Sequence, residues 1–241
     1  MTDQPRIRAV ILDAGGVIVH PDMDWIAAGT RAYGAPLDVP TLYRAYYRMA
    51  FVVDQTPNLD RHGFALTTVD VRAWMFSHWL RGAGLAEESV EVLARSLAEA
   101  AAETFPRESD IYYWARPGLR ALLEGLRARG FLLGSASNND GALEAQLRTV
   151  GVLDLFSAYL DSRLEGVSKP DPELLLRTAQ RLGVAPAECV YVGDLDRVDG
   201  EASRAAGMRF ALLDPLAQPR PSGALLIPEL DALASHFRAE P

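Results

Sequence analysis

The chain of 241 residues contains one cysteine, Cys189, and one lysine, Lys169. A single cysteine excludes an internal disulfide framework. Its place in the apolar stretch Cys189-Val190-Tyr191-Val192 suits a small buried residue better than a reactive thiol, and a cytoplasmic setting is the expectation. Long hydrophobic runs are missing too: no stretch approaches the roughly 18 apolar residues of a membrane span, and no basic N-terminal segment precedes a long apolar one, so a soluble protein is expected. Clustered basic charge is also lacking. The net charge is -8 and the arginines form no run, which argues against a nucleic-acid binder and leaves anionic small molecules open.

The scarcity of lysine sharpens attention on the one that is there. The other 23 of the 24 basic residues are arginine, which fits coding bias, yet Lys169 keeps a compact ammonium in place of a planar fork. Chance survival is the alternative reading. The setting Val167-Ser168-Lys169-Pro170-Asp171-Pro172 shifts the weight toward function.

An apolar content of 49% is ample for one large domain or for a core with a modest insertion. Ile7 to Val19 reads as a strand ending in a glycine turn. Residues 22 to 105 then show helical periodicity, with helices at Asp22–Tyr33, Val39–Val52, Val69–Gly82 and Ala86–Phe105, a helical insertion. From Pro117 the pattern alternates: helix to Arg129, strand Phe131–Ser135, helix Gly141–Val150, strand Ala158–Leu160, helix Pro172–Leu182, strand Cys189–Val192, helix Asp199–Ala206 and strand Arg209–Leu213. Alternation of this kind predicts an α/β fold with a parallel sheet. Pro215–Pro221 reads as a surface loop, Leu225–Ile227 as an edge strand and Pro228–Phe237 as a final helix.

Asp13 closes the apolar run Ala9-Val10-Ile11-Leu12 and is followed at once by Ala14-Gly15-Gly16. A carboxylate beyond the end of a buried strand, with small residues behind it, has the placement of a nucleophile that a substrate can approach closely. Ser137 with Asn138, then Lys169, then Asp194 with Asp199 follow later strands, and right-handed crossovers would bring all of them to one sheet edge. Singly, Asp13 reads as a turn residue, Asp194 as a helix cap and Lys169 as a surface lysine; taken together in this order, the active-site reading is the stronger.

The four segments Ile11-Leu12-Asp13-Ala14-Gly15-Gly16-Val17, Ser137-Asn138, Lys169-Pro170 and Gly193-Asp194 through Asp199 resemble, in order and spacing, the motifs of haloacid dehalogenase superfamily hydrolases. The resemblance implies a Rossmann-like core, residues 1–19 and 109–241, with an inserted all-helical cap of the first type, residues 20–108, that closes to exclude water and select substrate. It implies Asp13 as a nucleophile that becomes an aspartyl phosphate, splitting one difficult displacement into two easier ones. It further implies a Mg²⁺ held by Asp13, Asp194 and the backbone carbonyl of Gly15, with Asp199 orienting metal-bound water. Ser137, Asn138 and Lys169 would hold the phosphate and offset its charge. Asn138 and Asn139 also read as side-chain caps of the next helix, and Asp196 as a weaker metal candidate facing solvent. The implied partner is a small phosphorylated molecule, with no nucleic acid and no membrane.

One position departs from the family pattern. Where phosphatases of the family place a second aspartate that protonates the leaving oxygen and then activates water, this chain has Gly15. General acid–base assistance contributes about 10² to 10⁴ in rate, so weak turnover is expected. A binding or regulatory protein is therefore a rival reading. A 2-haloacid dehalogenase is a more distant one, since it would have no use for Asp194 and Asp199 without metal. A Schiff-base phosphonate hydrolase is excluded because residues 20–108 contain no lysine. Within that segment Tyr43, Tyr46, Tyr47, Trp74, Phe76 and Trp79 read mainly as packed interior. Arg44 and Arg48 read as a solvated pair or an anion clamp, and His20 as a hinge residue or a substitute acid or base.

Overall fold

The computed structural model describes residues 6–56, 69–105, 107–218 and 224–237. Two compact units emerge, Met1–Val19 with Ala115–Pro241, and His20–Trp114. In chain order, the first unit opens with β1 (Ala9–Leu12). The second contains β2 (His20–Pro21), α1 (Met23–Ala32), α2 (Val39–Gln55), α3 (Val69–Gly82), α4 (Glu87–Thr104) and β3 (Tyr112–Trp114). The chain then returns to the first unit for α5 (Leu119–Ala128), β4 (Leu132–Ser137), α6 (Leu143–Thr149), β5 (Ala158–Asp161), α7 (Ser162–Glu165), α8 (Glu173–Leu182), β6 (Cys189–Gly193), α9 (Glu201–Ala205), β7 (Arg209–Leu213), β8 (Leu225–Ile227) and α10 (Leu233–His236).

All six strands of the first unit form one sheet in the order β5-β4-β1-β6-β7-β8, and every neighbouring pair is parallel. Both faces of such a sheet are covered, so its strands are apolar without alternation: every residue of Ala9–Leu12 is fully buried. Ile11, Ala136 and Tyr191 from three strands pack with Leu174, Leu175, Ala179 and Leu182 of α8 in one core cluster. After β1 the chain builds outward through β4 and β5, then crosses to the other side of β1 to lay down β6 and β7. That reversal opens a crevice beyond the carboxyl ends of β4, β1 and β6, where ligands of open α/β sheets bind.

The second unit follows from amphipathic periodicity. On α4, Val90, Leu93, Ala94, Leu97, Ala98 and Ala101 are buried, a spacing of three and four that lines one face. Asp22 and Asp38 cap α1 and α2 by accepting from the backbone N–H of Trp25 (2.9 Å) and Thr41 (2.8 Å).

Several boundaries differ from the sequence expectation, each for a local reason. Residues 109–114 fall with the second unit and not with the sheet unit, because Tyr112–Trp114 pairs antiparallel with His20–Pro21. The first strand ends at Leu12 and the expected glycine turn follows it, as the Ala14 carbonyl accepts from the N–H groups of Val17, Ile18 and Val19 (3.2, 2.9 and 2.9 Å) and rolls the chain into a tight loop. Gly16, at φ 73°, supplies the left-handed residue this loop requires. The helix expected from Asp199 is a π-helical turn, Asp196–Gly200, followed by α9. The last helix is a 3-10 turn, Leu230–Ala232, followed by α10. Within the expected loop Pro215–Pro221, residues 219–221 lie outside the described residues. No helix among the described residues is long and apolar enough to cross a membrane.

Candidate active site

Asp13 leaves the end of β1 with its N–H on the Val192 carbonyl (2.9 Å), a continuation of the β1–β6 ladder that fixes where its side chain starts. The residue is buried, and its carboxylate accepts from the N–H of Ala14 (2.8 Å). Ser137, the last residue of β4, is buried and hydrogen-bonds the same carboxylate.

Asp194 follows β6 directly, and Asp199 is folded back beside it by the π turn. The Asp199 N–H donates to the Leu195 carbonyl (2.8 Å), its Oδ2 accepts from the Leu195 N–H (3.1 Å), and its carbonyl accepts from Ser203 Oγ (2.6 Å). The approach is so close that a Cβ on Gly193 would lie 2.2 Å from Asp199 Oδ2, so only glycine is accommodated there. Asp13, Asp194 and Asp199 each present an oxygen within 4.8 Å of the others, the only such trio among the described residues.

Lys169 comes from the loop between α7 and α8. Asn138 holds its backbone from both sides: the Asn138 amide donates to the Lys169 carbonyl (2.9 Å), and its oxygen accepts from the Lys169 N–H (2.8 Å). The following Lys169–Pro170 peptide is cis. From this anchor the residue enters the site, 2% exposed, and its ammonium donates to Tyr191 Oη (2.6 Å) and Asp199 Oδ1 (2.7 Å) and forms an ion pair with Asp13 Oδ1 (3.0 Å).

Electrostatics follow from burial and neighbours. Burial pushes the Asp13 carboxyl up to about 6 and Asp199 adds to the rise, against the restraint of Lys169 and Ser137. For Lys169, burial alone favours the neutral amine, but Asp13 and Asp199 outweigh it and hold the ammonium above its ordinary range. Tyr191 is raised well above an ordinary phenol by burial and then by Asp13, Asp199 and Asp194, so it stays neutral. Three buried carboxylates against one ammonium leave an excess of negative charge and of hard oxygen donors, a set that fits a small divalent cation such as Mg²⁺.

The sequence-derived candidates therefore separate into groups. Asp13, Ser137, Lys169, Asp194 and Asp199 meet. Gly15 lies in the turn, paired with Val19 in an isolated bridge, and offers no side chain. Asn138 is engaged with the Lys169 backbone and does not cap the next helix; nor does Asn139, which accepts from the N–H groups of Asp140 and Ala142 (2.8 and 3.3 Å) in the turn before α6, whose first N–H, that of Leu143, goes to Asp161 Oδ2 (3.2 Å). Asp196 does not face solvent: it is buried and accepts from Arg204 Nη1 at 3.0 Å, because the π turn directs it inward.

The candidates in residues 20–108 have their surroundings within the second unit. His20 is fully buried, with Nε2 3.0 Å from Tyr47 Oη and its ring 5.0 Å from that of Tyr43. Arg48 donates to the Gly82 carbonyl (2.6 Å), joining α2 to the end of α3, while Arg44 is exposed. Tyr46, Tyr47, Phe76 and Trp79 are core; Tyr43 and Trp74 are half-buried.

Sequence reasoning missed the part played by Tyr191. The available signal was a phenol in the middle of an aliphatic central strand, since a buried tyrosine hydroxyl needs a partner.

Comparison with known proteins bears on the family and the fold. The family model for haloacid dehalogenase-like hydrolase matches residues 7–207. The chain is 30% identical over 252 residues to the haloacid dehalogenase-like hydrolase domain-containing protein 3 of Mus musculus, covering 97% of each. It is 39% identical over 97 residues to the phosphoglycolate phosphatase of Cereibacter sphaeroides, covering 40% of this chain and only 43% of that enzyme. Among solved structures, a HAD phosphatase from Thermococcus onnurineus superposes with a TM-score of 0.58 at 21% identity, covering 97% of this chain and 99% of the other, a likeness of fold.

Proposed function

Since the chain belongs to the haloacid dehalogenase-like hydrolases, we propose that it is a Mg²⁺-dependent phosphatase of a small phosphorylated metabolite, with Asp13 as nucleophile and intrinsically slow turnover. The observation that carries this reading is the convergence of the Asp13, Asp194 and Asp199 carboxylates within 4.8 Å, with the Lys169 ammonium 3.0 Å from Asp13.

In the proposed reaction an Asp13 oxygen attacks phosphorus, the bond from phosphorus to the leaving oxygen breaks, and an aspartyl phosphate forms; water then attacks that phosphorus and restores the carboxylate. Lys169 and Ser137 offset the charge that gathers on nucleophile and phosphoryl group. Asp13, Asp194 and Asp199 would hold the Mg²⁺, whose role is to neutralise the charge of carboxylates and phosphate so that they can meet. With no carboxyl at Gly15, the leaving oxygen departs without a proton from that position. Acyl and aryl phosphates, whose leaving groups are stable as anions, then react faster than alkyl phosphates.

The test is turnover of an aryl phosphate and of a panel of phosphorylated metabolites, in Mg²⁺ and in EDTA. Mg²⁺-dependent release of phosphate is expected, with a loss of at least about 10³-fold in Asp13→Asn; unchanged activity in that variant rejects the assignment. Gly15 supports a second reading, a protein that binds metal and phosphate without efficient hydrolysis. Saturable binding of phosphate in Mg²⁺ with no turnover of any ester would favour it.

A further inference from the structure

Tyr191 stands in β6 three residues before Asp194, fully buried between the sheet and its helices. Its hydroxyl lies 2.7 Å from the Ala136 carbonyl and 2.6 Å from Lys169 Nζ. A phenol has one proton, and a carbonyl can only accept, so the proton goes to Ala136 and the lone pairs face Lys169. The direction of both bonds is thereby fixed: Lys169 donates to Tyr191.

Tyr191 Oη and Asp199 Oδ1, which accept from the ammonium, and Asp13 Oδ1, paired with it at 3.0 Å, form a tripod of oxygens under it. Asp13 and Asp199 alone would leave the third N–H in a water-poor pocket without an acceptor, at the full cost of an unmade hydrogen bond to a charged group. A third carboxylate would satisfy it but would add to the excess of negative charge. The phenol supplies an acceptor without charge, and its bond to Ala136, one residue before Ser137, ties the tripod to the strand end that carries the serine. With two vertices hydrogen-bonded, rotation about the last carbon–nitrogen bond of Lys169 is stopped with the ammonium held 3.0 Å from Asp13.

We propose that Tyr191 is a positioning residue that locks the Lys169 ammonium onto Asp13 and so pre-organises the charge-stabilising group of the reaction. The proposal rests on the phosphatase reading for its kinetic consequence and on geometry alone for its spectroscopic one, so the two can fail separately.

The absence of any other lysine makes the test direct, because protein labelled with ¹⁵N at lysine ε-nitrogens carries a single ammonium reporter. In the wild-type protein one sharp ammonium resonance in slow exchange with water is expected. Tyr191→Phe, which keeps the ring, should shift that resonance and speed proton exchange about tenfold or more. In Mg²⁺ it should lower kcat for an aryl phosphate by about ten- to a hundredfold, the scale of one charge-assisted hydrogen bond, with KM within about twofold. A folded Phe variant with an unchanged resonance and unchanged kcat overturns the proposal, as does a drop in Tm with kcat intact. Wild-type ammonium protons exchanging at the rate of free lysine also overturn it, which decides the question even where the variant does not fold. If wild-type protein hydrolyses no phosphate ester, the phosphatase reading fails while the resonance still decides the role of Tyr191.

Discussion

Lys169 in the sheet unit and Arg81 in the helical unit are both cations that hold two carboxylates at short range, and they do opposite things. Arg81 reaches Glu87 (2.6 Å) and Glu91 (2.5 Å) from a side chain 34% exposed, with partners 66% and 68% exposed. Lys169 reaches Asp199 (2.7 Å) and Asp13 (3.0 Å) with side-chain exposures of 1%, 1% and 12%. The exposed pairs are, if anything, the shorter; what differs is solvent. In water the Arg81 pairs gain little, because each ion gives up good hydration and side-chain freedom for a screened attraction. At the sheet edge the charges have lost their water, so each is costly unless all are matched. An ion pair of given length thus speaks of function where it is buried and of almost nothing where it is wet.

The comparison can be broken by removing each cation in turn. Lys169→Met leaves Asp13 and Asp199 buried and unmatched, and urea unfolding in EDTA should show a loss of about 3–5 kcal/mol; a loss under about 1 kcal/mol would erase the distinction. Gly15→Asp tests the same crowding from the other side. A further carboxylate near the trio should raise aryl phosphate turnover at least about tenfold by supplying the acid and base that are lacking, while lowering stability in EDTA. A gain in neither kcat nor kcat/KM means that another group already serves. Arg81→Ala should change stability by less than about 1 kcal/mol. Smallest of all is the expected signal from Cys189. Burial and then Glu188 push its thiol up to about 12, so at pH 8 it stays protonated and a chromogenic disulfide reagent should find no reactive thiol until urea unfolds the chain. Stoichiometric labelling of native protein at that pH would contradict a buried, uncharged Cys189.

Most of the sheet was legible because parallel strands buried on both faces read as unbroken apolar runs, as in Ala9–Leu12 and Cys189–Val192. The site residues were legible because such strands must shed their polar groups at their ends. What stayed hidden depends on packing across the chain. The β2–β3 ribbon has two- and three-residue strands, too short for periodicity to register. The π turn at Asp196–Gly200 depends on one extra residue per turn, which turns Asp196 inward against Arg204 where a solvent-facing acid was expected. Asn138 was grouped with the phosphate side and with helix capping because local spacing cannot show a partner 31 residues away. Tyr191 was hidden inside its own strand, where an aromatic ring counts as core until the direction of its hydroxyl is known.

Placing the chain's sole ε-amine beneath the buried carboxylates has a consequence for every process that attaches to lysine. Acylating reagents, amine-linked surfaces and isopeptide-forming modifiers meet no accessible lysine on this chain when it is folded. Any such adduct at Lys169 would report that the sheet edge had come apart.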